Sequence, residues 1–495
     1  MTATPAPAVP HTRPFIDGDF VEATSGRTFA TFNPATGVQL AEVEEAGQAD
    51  VDRAVAAAAA AFDGPWSRME LTDRAKLLRS VGRLLEARVE DIARLETADS
   101  GKPLWETRVL VEGTAAWMDF YADIMLHYRS DVIPGPRGYL NYTLRQPLGV
   151  VAGIVPWNFP LSFAALKAAP VLVSGNTLVL KPAEQTPLTA LVFADLCREA
   201  GFPEGVVNVL PGLGASTGAA LVAHPGVAGV SFTGSTEVGR QIGGVAGTQL
   251  KKAVLELGGK SPNIVFGDAV ADNVLDTAVY MFAYNQGQVC SAGSRLLVEQ
   301  SAYDDVLAAV LDRTAQVRVG DPLDPDTQVG AVISEPQLHR IEGYVERAQR
   351  DGARLLTGGV PLRPAGLETG WFYAPTVFGD VDPAIELAQD EVFGPVVAVL
   401  PFRDEDDVVR LANDVGYGLT AGVFTTDIRR AHRLAERLHA GIVYVNTMNS
   451  GLSPGSPIGG WKQSGLGIER GIEGVLEFTE IKNVVVNLTD ETPAL

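Results

Sequence analysis

A chain of 495 residues is too long for one ordinary hydrophobic core and predicts two or three domains. With 60 acidic against 39 basic side chains the net charge is −21, which argues against nucleic acid and anionic membrane surfaces, both polyanions, as partners. A small anionic ligand stays open, because backbone dipoles hold phosphates even inside acidic proteins.

The two cysteines, Cys197 and Cys290, cannot form a disulfide framework. No CxxC, HxxxH or HExxH spacing points to a metal, so none is expected. No apolar run reaches transmembrane length, and a cytoplasmic protein is expected.

In chain order, residues 1–12 read as a flexible tail. FIDGDFVEA (15–23) carries an Asp-Gly hairpin signal. Helices are predicted over 48–63, 71–100 and 105–127, and the alanine run 56–61 reads as helix propensity. From 149 the texture becomes short β-rich runs alternating with helical segments: VVAGIVPW, NTLVLKPAE, VVNVLPG, VAGVSFTGS and AVLELGG. That alternation predicts an α/β fold with a parallel sheet covered on both faces. Cys197 lies on one of the intervening helices, where burial is its expected role.

A second alternating block spans about 262–460, with helices at 303–318 and 404–413. GYLNYTLRQPLG (138–149) and KNVVVNLTD (482–490) are strand-like segments outside both blocks; unpaired edges are a liability, so they are expected to form a small intersubunit sheet.

Several familiar motifs fail on inspection. GGKS (258–261) lacks the glycine that a phosphate-binding loop needs five residues before Gly259, and GLGASTG and GLGIERG miss the GxGxxG spacing. Ser216 and Ser453 sit in GxSxG patterns, but neither has the strand-to-helix context of a hydrolase nucleophile.

What remains gathers at the carboxyl ends of predicted strands, where parallel sheets collect ligands. These groups are Trp157 and Asn158, Lys181 and Glu184, Gly234 and Ser235 before a helix, and Glu256 between Leu255 and Leu257. Burying that carboxylate raises its pKa, which is how a general base is tuned. Cys290 sits in NQGQVCSAGSR among small and polar residues, in a loop expected to be exposed.

Together these residues resemble the aldehyde dehydrogenase superfamily. PWNFP (156–160), KPAEQTP (181–187), FTGSTEVG (232–239), LELGGKSP (255–262), GQVCSAGSR (287–295), EVFGPV (391–396) and GGWKQSGLGIERG (459–471) occur in the family's order over nearly the whole chain. The resemblance implies a Rossmann-like NAD-binding domain (13–128 and 149–258), an α/β catalytic domain (259–460) and oligomerisation segments (129–148 and 475–495) that build a homodimer or homotetramer.

It further implies that Cys290 is the nucleophile, that Asn158 holds the oxyanion and that Glu256 activates the hydrolytic water. Members that pass the acyl group to coenzyme A generally lack this glutamate. Lys181, Glu184, Ser235, Gly234, Glu391, Phe393, Ile154 and Trp157 are the implied NAD contacts. A carboxylate at 184 favours NAD over NADP, although family members with glutamate here sometimes accept both.

Lys167 and Glu469 match the positions of a proton path, or form an ordinary salt bridge. The implied substrate tunnel comprises Phe159, Ser162, Phe163, Leu166, Val289, Ser291, Leu452 and Ile458, an apolar and mainly aliphatic set that suggests a medium-length aliphatic or aromatic aldehyde. Betaine aldehyde is the alternative, with Trp461 and Trp117 as cage candidates. A catalytically silent binding protein and a serine hydrolase are the remaining readings.

Overall fold

The structure is a computed structural model that describes residues 7–451 and 453–490. Two sheets organise it. The first has eight strands among these residues, in the order Asp19–Phe20, Phe15–Ile16, Val207–Val209, Thr177–Lys181, Val150–Ile154, Gly229–Thr233, Lys252–Glu256, Gly465–Leu466. The five inner strands are parallel and the flanking ones antiparallel. The inner strands are almost entirely buried apolar runs, the pattern of a sheet covered on both faces.

The second sheet has the order Arg354–Thr357, Thr376–Gly379, Val396–Phe402, Arg295–Glu299, Pro262–Val265, Thr420–Phe424, Ile442–Val445, parallel except at its first strand. The chain does not end there. Gly465–Leu466 returns to the first sheet, pairing Leu255 with Leu466 and Glu256 with Gly465. Most expected strands are found where the β-rich runs placed them, and the predicted helix 48–63 is Gln48–Asp63.

Three differences are informative. The helix expected over 71–100 is two, Leu71–Ala87 and Val89–Ser100, broken at Arg88, whose φ/ψ of −126°/20° is not helical. The helix expected over 303–318 stops at Thr314. Of the expected tail, residues 1–6 lie outside the described residues. Its end is docked: the His11 ring stacks on Phe20 at 3.7 Å and the Thr12 carbonyl accepts from the Glu44 amide at 2.9 Å.

The Asp17-Gly18 turn has positive φ at both residues (55° and 85°), the two-residue hairpin geometry that matches strand twist. Tyr139–Pro147 pairs along its whole length with Thr479–Asn487, and Val132–Ile133 adds a third strand. The two strand-like segments therefore satisfy each other within one chain. Leu140, Leu144, Ile481 and Val485 remain exposed on this sheet. No helix among the described residues is long and apolar enough to cross a membrane.

Candidate active site

The carboxyl ends of the first sheet's strands form one wall of a cleft. Ile154 and Lys181 are register partners there, and Glu256 partners Thr233. A cavity of 160 Å³ is lined by Trp157, Asn158, Thr233, Gly234, Ser235, Gly258, Cys290, Arg340, Glu391 and Phe393, among others. Ser235 caps the helix Thr236–Thr248, its hydroxyl accepting from the Val238 amide at 3.3 Å. The Phe393 ring meets Trp157 edge-on at 5.2 Å. The sequence-predicted cofactor residues at 157, 234, 235, 391 and 393 thus share one cavity.

Ile154, Lys181 and Glu184 do not line that cavity. The buried Lys181 ammonium donates to the Pro182 carbonyl at 2.7 Å and to Glu184 at 3.3 Å. Burial lowers its pKa, opposed by Glu184.

A second cavity of 340 Å³ holds Glu256, Cys290, Phe159, Ser162, Phe163, Val289, Ser291, Ile458 and Glu469. Cys290 and Thr233 line both cavities, so the thiol stands where they meet. Among the predicted tunnel residues, Leu166 is the exception. It is fully buried one turn further along the helix Pro160–Val173 and does not line the cavity, because that helix is buried nearly all round. Leu452 lies outside the described residues.

The walls are also more aromatic than expected. Trp117, Tyr284 and Tyr444 join Phe159 and Phe163. Trp461 is half exposed beside His439 and takes no part, and the Trp117 ring already faces the Arg470 guanidinium at 4.8 Å. Residues 117, 284, 444 and 470 come from four distant segments, so no local signal could have grouped them.

The Cys290 loop is a further correction. Asn285–Val289 is buried, not exposed. Asn285 and Gln286 adopt positive φ (47° and 56°), and the Asn285 side-chain carboxamide donates to the backbone carbonyls of Asn158 at 3.1 Å and Gln288 at 3.2 Å. The Gln288 side-chain oxygen accepts from the Ile333 amide at 3.0 Å. Hydrogen bonds, and not apolar packing, hold this loop. Gly259 allows the close approach of its far side: a Cβ there would lie 2.3 Å from the Cys290 carbonyl oxygen.

The Asn158 carboxamide donates to the Gln288 carbonyl at 2.9 Å. The Asn158 backbone carbonyl accepts from Lys102 at 2.9 Å, and Lys102 also donates to Glu96 at 3.0 Å, an ion pair wholly removed from water. Sequence reading gave 96–102 no role, although ETADSGK is buried throughout. Their burial shows only in the fold, so the polar run carried no signal in the sequence.

Electrostatics follow from burial. Burial first, then Glu469, pushes the Glu256 pKa well above the usual carboxylate range; Lys167 and Arg470 oppose the shift. Burial pushes Glu391 up to about 7. The Cys290 thiol is pushed up to about 12 by burial and then by Glu391 and Glu256. The protein's own groups therefore do not activate this thiol. Lys167 and Glu469 form a buried ion pair beside Glu256. Ile458 and Glu469 exchange backbone hydrogen bonds of 2.7 and 2.6 Å, which fixes the tunnel wall in register with that pair.

Ser216 donates to Glu45 at 2.9 Å and the Ser453 hydroxyl accepts from the Gly455 amide at 3.2 Å; neither is hydrogen-bonded to a histidine. Cys197 is buried, as expected. Among the described residues, no cluster of three ligating side chains could hold a metal ion.

A parallel sheet whose carboxyl edge opens on a cleft, with a thiol and a buried carboxylate beside it, fits an α/β oxidoreductase. The family model "Aldehyde dehydrogenase family" matches residues 20–484, and the chain belongs to that family. The Bacillus subtilis (strain 168) protein DhaS, named as an aldehyde dehydrogenase, is 44% identical over 96% of each chain. An NAD+ complex of the Bacillus cereus aldehyde dehydrogenase is 42% identical, with 97% of each chain covered and a TM-score of 0.94. The P. syringae indole-3-acetaldehyde dehydrogenase AldA, solved with NAD+, is 42% identical over 96% of this chain and 97% of that one, with a TM-score of 0.94.

Proposed function

We propose that this family member oxidises a medium-length aliphatic or aromatic aldehyde to the carboxylic acid, using NAD and releasing the product by hydrolysis. The observation that carries this reading is the position of Cys290, which lines both the cleft and the aromatic tunnel that holds Glu256. The P. syringae relative is named for an aromatic aldehyde, and the walls formed by Trp117, Phe159, Phe163, Tyr284 and Tyr444 favour that end of the range here.

The cleft suits a dinucleotide. Its capped helix start at Ser235 offers unpaired amides to a pyrophosphate, and Glu391 is a half-buried acceptor for a ribose hydroxyl, its carboxylate accepting from the Gly259 amide at 3.1 Å. Glu184 at the sheet edge disfavours a 2′-phosphate, which supports NAD over NADP. Bound NAD supplies the hydride acceptor and, when oxidised, a positive charge that opposes Glu391 and Glu256 at the thiol.

The chain's own residues do the rest. The Cys290 sulfur adds to the carbonyl carbon, and the second N–H of the Asn158 carboxamide, with the Cys290 backbone amide, receives the developing oxyanion. Loss of hydride from that carbon leaves a thioester on Cys290. Glu256, once ionised, takes a proton from water, and the hydroxide displaces the thiolate to give the acid. The buried Lys167–Glu469 pair adjusts the proton affinity of Glu256 that burial has already raised.

We also propose a homodimer or homotetramer, supported by the apolar side chains left exposed on the three-stranded sheet. Measuring NADH formation with hexanal, benzaldehyde and betaine aldehyde tests the reading. Preference for the first two with NAD is expected, and preference for betaine aldehyde overturns the substrate class.

A further inference from the structure

Arg470 stands in an unusual position. It lines the tunnel with Cys290 and Glu256, half-buried, and its Nε is out of contact with water and has no hydrogen-bond partner. No carboxylate among the described residues forms an ion pair with it. Glu469 is paired with Lys167, and Glu256, though near enough for its charge to be felt, forms no ion pair with Arg470. Its guanidinium lies over the face of Trp117 at 4.8 Å.

Its backbone sits at φ 64°, ψ 171°, a region that only glycine enters without strain. The side chain at 470 is thus held into the tunnel by a conformation the residue itself disfavours. It lines the same cavity as Cys290, Glu256 and Tyr444, so it borders the space in which a substrate would lie.

A planar guanidinium with unused donors, backed by an aromatic ring, matches a planar monoanion. Glu256 and Glu469 nearby disfavour a doubly charged phosphate, and Arg470 itself disfavours a cation. We propose that Arg470 is a substrate-binding residue that receives a carboxylate at the far end of the aldehyde, so that the preferred substrates are carboxylate-bearing aldehydes, aromatic ones included. This rests on the aldehyde-oxidising reading given above.

Three para-substituted benzaldehydes carrying carboxylate, methyl or trimethylammonium test it, with kcat/KM measured in the wild type, Arg470→Met and Arg470→Lys. Ratios between substrates are compared across the proteins, which cancels the electronic effect of each substituent. The carboxylate-to-methyl ratio should fall at least about tenfold in Arg470→Met, chiefly through KM, and be partly kept in Arg470→Lys. The carboxylate-to-trimethylammonium ratio should fall further. A wild type that prefers the trimethylammonium compound overturns the proposal, whatever the variants do. Substrate ratios indifferent to residue 470, with NADH still formed from the methyl compound, overturn it and leave the aldehyde-oxidising reading intact. No NADH from any aldehyde removes both.

Discussion

The Asn158 carboxamide donates to the Gln288 carbonyl at 2.9 Å, two residues before Cys290. The group read as the oxyanion donor therefore also positions the loop that carries the thiol. Asn158→Ala should lower kcat/KM by about a hundredfold or more, the usual cost of one lost oxyanion donor. Loop displacement adds to that figure, and a structure of the Asn158→Ala variant, showing whether the 285–290 loop has moved, separates the two effects.

Glu256→Gln should leave acylation in place and block hydrolysis. Stopped-flow measurement is expected to show a burst of NADH near one equivalent per site, followed by a steady rate at least about a hundredfold below wild type. Absence of the burst would place Glu256 before the thioester.

The pH dependence has a definite sign. Glu256 has a raised pKa and works only when ionised, so the hydrolytic rate should climb with pH beyond the usual carboxylate range, and not level off there as an unperturbed glutamate would. Lys167 lowers that pKa and Glu469 raises it. Lys167→Met should thus move the rising limb of the kcat profile to higher pH, and Glu469→Gln should move it to lower pH. A merely structural ion pair would reduce activity in both variants without opposite displacements.

Without cofactor, the Cys290 thiol at about 12 is protonated throughout the neutral range. Alkylation by iodoacetamide should rise about tenfold per pH unit from 7 to 10 with no plateau, and accelerate when NAD is added. Mass spectrometry should find the label on Cys290 and not on the buried Cys197. Cys290→Ala should abolish aldehyde oxidation and any esterase side activity together.

Glu184→Ser should raise kcat/KM for NADP relative to NAD, because the carboxylate that opposes a 2′-phosphate is gone. An unchanged cofactor ratio would detach Glu184 from that choice.

The strand ends were legible because their signals are local: an apolar run that stops at Lys181, Ser235 or Glu256 marks both the element and its edge. The hairpin at Asp17-Gly18 was legible for the same reason. The tunnel was legible only in part: Phe159, Phe163, Val289, Ser291 and Ile458 line one cavity, but Tyr284, Tyr444 and Arg470 join them only through tertiary packing. Leu166 was misplaced because a helix buried on nearly every side gives no period from which to choose its facing. The Cys290 loop looked solvated because polar residues usually are; here their hydrogen bonds take the place of water.

The return strand Gly465–Leu466 has a consequence for redesign. Its ladder to Leu255 and Glu256, together with the paired amides of Ile458 and Glu469, holds residues 458–469 in a single register. Inserting or deleting even one residue within that span would swing Glu469 and Arg470 to new sides while leaving both sheets whole. Such a protein would still melt cooperatively yet have lost its chemistry, so changes of length belong before Ile458.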